Sequence, residues 1–162
     1  PMHSIKTLLS LALTAAAGLA SAQGMPVALR DANAPAPADW AKASPIIKAA
    51  IECRDPLFAS PAVLSTFRLT NSSLDGNHRF PELTVFGSIK VTAVSVFQGT
   101  DADGSSYTVK PEGVTLAQVA KAANLQRNGT RYVRKVKDGV IEASEPRAGQ
   151  VQLACIREGG QQ

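Results

Sequence analysis

Apolar residues fall on alternate positions from Leu83 through Val85, Ile89 and Val91 to Ala93, with Thr84, Ser88, Lys90 and Thr92 between them. A period of two belongs to a strand with one buried face. The apolar phase then moves to Val94 and Val96. That shift predicts a bulge near Ala93 or a bend at Gly87, because an added residue resets which side looks inward. Tyr107 and Val109 predict a further strand after the turn-like composition of residues 99–106, and Pro111 to Gly113 ends it. Three more strands are expected at 131–137, 140–143 and 150–157, the last turning Val151, Leu153 and Cys155 inward. Asp138-Gly139 has the composition of a two-residue hairpin with positive φ angles, and Asn128-Gly129 marks another turn.

Helical spacing replaces the alternation in three places. Ile46, Ile47, Ala50 and Ile51 form an apolar stripe that runs to Cys53. Asp39 and Trp40 open this stretch, and Ser44-Pro45 offers a cap followed by a proline suited to a first helical position. Asp55-Pro56 stops it, and Ser60-Pro61 repeats the start signal for a shorter helix ending near Phe67. The third helix carries the clearest local signal: Thr115 as cap, Gln118 to reach back, and Val114 placed to pack on Val119. Leu116, Val119, Ala120 and Ala123 supply its buried face. Residues 70–79, rich in Asn, Ser and Gly, have no period and predict a loop. Together these elements predict an α+β fold with N-terminal helices and a mainly antiparallel sheet. The sheet is expected to hold five to six strands in two groups, with one helix between them.

The N-terminus changes the picture of where this fold works. His3 and Lys6 precede an apolar stretch over 8–17, and Ala20-Ser21-Ala22 has the small-x-small form of a cleavage site. Residues 1–22 are therefore expected to be a signal peptide of bacterial type, cut before Gln23, which directs the chain to the periplasm or further out. Residues 23–38, mixing Pro and Ala without a period, predict a flexible leader to a single domain over 39–162. No later stretch is long and apolar enough to cross the roughly 30 Å hydrocarbon core of a bilayer, so no integral membrane segment is expected after cleavage. In an oxidising compartment Cys53 and Cys155 are expected to form a disulfide. Two sulfurs without paired histidines cannot complete a tetrahedral zinc site, so no metal is expected.

Candidate chemistry is sparse. Past the signal peptide His78 is the only imidazole. Its neighbours Asp75, Ser72 and Ser73 supply the residue types of a triad, but working triads draw on distant parts of a chain. His78 is therefore read as a loop residue, in a loop ranked second as a contact surface. Asp101 and Asp103 before Gly104 suggest half a calcium loop, yet its twelfth position falls on Lys110, where a bidentate Glu is needed. The acids Glu52, Asp55, Asp75, Glu82, Glu112, Glu142 and Glu145 are scattered rather than paired, as a glycosidase would require. Glycine-rich phosphate loops, HExxH and GxSxG are absent, so no catalytic residue and no cofactor are predicted.

Charge supplies the remaining signal. After cleavage the chain has 16 Lys plus Arg against 13 Asp plus Glu, a mild +3. Lys121, Arg127, Arg131, Arg134, Lys135 and Lys137 fall within seventeen residues that contain no acid. On a strand, Arg131, Val133, Lys135 and Lys137 project one way, and Tyr132, Arg134 and Val136 the other. Mixed Tyr and Arg side chains suit protein or glycan contact. The same charges equally suit the protection of a sheet edge against unwanted pairing. Nucleic acid is not an expected partner for an exported chain with 5% aromatic residues. The sequence thus predicts a small exported, non-enzymatic binding protein, such as an envelope inhibitor, accessory factor or chaperone-like module. Its expected partner is an envelope protein or glycan, contacted through Tyr132, Arg134, Lys135, Arg131, Lys137 and His78. A hydrolase of envelope polymers, and a polyanion or lipid-headgroup binder using residues 121–137, are the alternatives.

Overall fold

The computed structural model describes residues 33–99 and 103–159. The expected signal peptide, residues 23–32 of the leader, and Asp101 lie outside the described residues. Helix α1 (Pro37–Ile51) begins two residues before the expected boundary, with Pro37 in its first turn. There the missing N–H has no intrahelical partner to lose. Ser44-Pro45 does not start a helix, which corrects the sequence expectation: Pro45 lies inside α1 and Ala36 occupies the cap position. An interior proline costs a helix about 3 kcal/mol. The burial of Ala43, Ile47, Ala50 and Ile51 on one side offsets it, while Pro45 faces solvent. Helix α2 (Pro61–Phe67) starts as predicted, the Ser60 hydroxyl accepting from the Val63 N–H at 3.2 Å.

The strands are β1 (Gly76–Val85), β2 (Ile89–Gln98), β3 (Ser105–Val109), β4 (Gln126–Asn128), β5 (Arg131–Val136), β6 (Gly139–Arg147) and β7 (Gln150–Arg157), with α3 (Leu116–Ala122) between β3 and β4. They form one antiparallel sheet in the order β1-β2-β3-β7-β6-β5-β4. The expected α+β class stands at this level, but the strand number and grouping do not. The alternating run from Leu83 to Val96 is two strands, because Phe86 and Gly87 take φ 49° and 80° and reverse the chain. The Glu52 carboxylate holds that turn by accepting the Phe86 N–H at 2.7 Å. The expected phase change near Ala93 is present: Val91 and Val94 are both buried and Ala93 is exposed. The extra residues sit opposite, in β1, where the register slips between Arg79↔Ala93 and Leu83↔Val91. β4 was not foreseen, since all three of its residues are exposed and polar.

The two expected groups of strands are one sheet, because β7 inserts between β3 and β6. After β3 the chain passes through α3 to the far edge and returns strand by strand. Helix α3 is fixed by the predicted capping box: Gln118 N–H donates to Thr115 Oγ1 at 3.2 Å, and Thr115 N–H to Gln118 Oε1 at 2.8 Å. A single core gathers residues of all three helices and the inner face of the sheet. Across that face, Val96, Tyr107, Cys155 and Ile141 form one cross-strand row, each 4% exposed or less. The Tyr107 hydroxyl accepts from the Leu57 N–H at 2.9 Å, tying the segment after α1 to mid-sheet.

The expected disulfide joins Cys53 to Cys155 with a Cα–Cα distance of 5.2 Å. Cys53 follows α1 in the left-handed conformation, φ 59°, that a helix end usually gives to glycine. Asp138-Gly139 departs from expectation, because neither residue has a positive φ. The turn consists of Lys137 and Asp138, and Gly139 already pairs with Val136 on one side and Arg157 on the other. A Cβ on Gly139 would run into the Ile156 carbonyl, so this glycine serves close approach rather than an unusual φ.

Candidate binding site

Strand β5 alternates as the sequence predicts, but its two faces have different fates. Tyr132 and Val136 turn inward and pack against the core. Tyr132 is therefore partly a structural residue, paired with the fully buried Ala143. Arg134 pairs with Ile141 and so ends the inner row that begins at Val96. It is a half-buried cation at the end of an apolar row. Its Nε is buried and has no hydrogen-bond partner among the described residues. Leaving a buried donor unanswered costs about 1–3 kcal/mol, more when the group is charged.

On the outer face Arg131 is neutralised, its Nη1 lying 3.0 and 3.2 Å from the two carboxylate oxygens of Glu142. Lys135 is exposed. Lys137 sits in the turn after β5. Beside Arg134 and Lys135, at the β4 edge, opens a cleft of about 480 Å³. Arg127 of β4 enters it from the strand next to β5, and Val133 forms part of its wall. Arg127 pairs with Tyr132, which places it diagonally from Arg134 on the same face, about 7–8 Å away by strand geometry. Asn124, Gln126 and Asn128 add amide groups, and among the described residues no acid lines the cleft. Among the described residues no ion pair reaches Arg127, Arg134 or Lys135. The cleft can therefore offer an anion two guanidinium groups, one ammonium group and neutral donors.

Of the residues singled out from the sequence, Arg134 and Lys135 line the cleft, with Arg127 from the basic 121–137 stretch; Asn124, Gln126 and Asn128 were not singled out and line it too. The acid-free stretch 121–137 was the available signal. Tyr132, Arg131 and Lys137 do not line the cleft. His78 is not a loop residue: β1 begins at Gly76, and His78 is 7% exposed within it. Its ring stacks on Phe67 with centroids 4.1 Å apart. Its Nε2 lies 2.8 Å from the Leu74 carbonyl, so this nitrogen carries the proton and donates. Five strand spacings separate β1 from β5, roughly 24 Å. The imidazole and the basic cleft thus belong to different parts of the sheet.

The described residues contain no helix long and apolar enough to cross a membrane. They also contain no group of three or more His, Cys, Asp or Glu placed to hold a metal ion. No family model matches the chain, and neither a curated protein nor a solved structure matches it.

Proposed function

We propose that the protein is a small exported, periplasmic binding module without catalytic activity, in the manner of an envelope inhibitor, accessory factor or chaperone-like domain. Its working surface is the cleft between β4 and β5. One observation carries this reading: a cleft lined by Arg127, Arg134 and Lys135 and, among the described residues, by no acid. Among the described residues no carboxylate pairs with Arg134, Arg127 or Lys135, and an anionic group in the cleft would supply that counter-charge. Edge protection alone would be served by exposed lysines on the outer face, and gives no account of an arginine directed toward the core side. The same feature favours a binding module over a hydrolase, whose single remaining imidazole would be the core residue His78.

The test is capture of envelope proteins and glycans by the immobilised chain. The double reversal Arg134→Glu/Lys135→Glu is expected to abolish the captured set, and Lys135→Glu alone, at an exposed position, to weaken it. Circular dichroism checks that each variant folds. Undiminished capture by both variants would contradict the reading. Hydrolysis of envelope polymers that survives the double reversal would favour the hydrolase instead.

A further inference from the structure

We propose that the cleft takes an acidic, extended peptide, which adds to β5 end to end with β4. This inference rests on the cleft being the working surface and names the class of ligand. Its starting point is a mismatch of length: β4 has three residues and β5 has six. β4 pairs with Arg131, Tyr132 and Val133, and no described strand lies on that side of Arg134, Lys135 and Val136.

The register decides which backbone groups are left open. Val136↔Gly139 closes the two-residue turn to β6, so it exchanges hydrogen bonds, as do Arg134↔Ile141 and Tyr132↔Ala143 by alternation. The N–H and C=O groups of the intervening residues then point toward β4. There Arg131 meets Asn128 and Val133 meets Gln126. The next in the series, Lys135, meets no strand. By this register the N–H and C=O of Lys135 have no strand partner on that side among the described residues, and they sit next to the Arg134 guanidinium.

A phosphate or sulfate group could answer the guanidinium but would leave the Lys135 carbonyl without a donor. An extended peptide offers both backbone complements at strand spacing, which is how added strands gain affinity. A carboxylate on the peptide residue opposite Arg134 would lie on the same face as Arg127 and Arg134. Arginine pairs with a carboxylate through two parallel hydrogen bonds. Asn124, Gln126 and Asn128 line the recess with groups that can complete the contacts.

Fluorescence anisotropy with a labelled octapeptide alternating Glu and Val tests the idea. The comparison probes are the same peptide with its internal amides N-methylated, a sulfated polysaccharide, and phosphatidylglycerol vesicles. The alternating peptide is expected to bind, and N-methylation to weaken it about tenfold or more because main-chain pairing is lost. Arg134→Gln is expected to weaken binding about tenfold, and Lys135→Gln only about two- to threefold, since the latter side chain is exposed. Exchange of the Lys135 amide proton should slow in the complex. Equal affinity for the N-methylated peptide, unchanged exchange at Lys135, or binding of only the polysaccharide or the vesicles would each overturn strand addition. If those failures come with capture that still depends on Arg134 and Lys135, the cleft remains the working surface and only the ligand class is wrong. Capture indifferent to both residues would remove the cleft itself.

Discussion

Replacing Cys53 and Cys155 together by alanine is expected to lower the free energy of unfolding by about 4–5 kcal/mol. The bridge spans 102 residues. In the chain-entropy account, closing a loop of that size removes much of the freedom of the unfolded chain, and the native position of both sulfurs lets the gain be realised. Cys53 ends α1 in a left-handed conformation that costs a non-glycine residue roughly 1 kcal/mol. Cys155 lies fully buried at mid-sheet, between Tyr107 of β3 and Ile141 of β6. The bond therefore fastens the helical layer to the strand that joins the two halves of the sheet. A domain of this size has about 5–15 kcal/mol of net stability, so the loss brings it close to unfolding. Urea titration of the oxidised chain, the reduced chain and the double-alanine variant measures this. The last two are expected to unfold at nearly the same, much lower, urea concentration. A difference below about 1 kcal/mol between oxidised and reduced protein would show that packing alone holds the layers together.

The second large effect separates two glycines that look alike in sequence. Gly139→Ala is expected to cost about 3 kcal/mol, the upper end of the range for overpacking a site that cannot yield. Its new Cβ would meet the Ile156 carbonyl and the Arg157 backbone, and backbone in mid-sheet has little room to move. Gly129→Ala is expected to cost only about 1 kcal/mol, the usual penalty for a left-handed residue. Gly129 has φ 63° and nothing within 4 Å of the added carbon. The measured quantity is the shift in denaturation midpoint for each variant. Equal costs would mean that Gly139 is a turn glycine like Gly129 and that β6 and β7 part easily.

These two glycines also show where sequence reasoning stops. Asn128-Gly129 and Asp138-Gly139 carry the same local turn signal, and only the first has a positive φ. The second depends on β7, which arrives from elsewhere in the chain. Local signals settled local structure: the Ser60 cap, the Thr115–Gln118 box, and the inward phase of Val151, Leu153 and Cys155. Features set by distant partners were not legible. Phe86 reverses the chain because Glu52, 34 residues away, captures its N–H. His78 is buried because α2 places Phe67 against its ring. Pro45 stays helical because the stripe around it finds a core. β4 has no apolar residue to announce it. At the cleft, alternation correctly divides Arg134 from Lys135. That the described lining of the cleft includes Arg127 and no acid follows from a sheet order that no local pattern encodes.

On the reading proposed above, ligands reach this protein through the β4–β5 cleft. Site-directed photo-crosslinking in the native host tests it most directly, with the reactive side chain placed at Gln126 in the cleft, at Asn77 on the distant half of the sheet, or at the exposed Phe58. A discrete adduct is predicted from position 126 alone, and it should disappear when Arg134→Glu is added. An adduct from position 77 or 58 with none from position 126 would contradict the account.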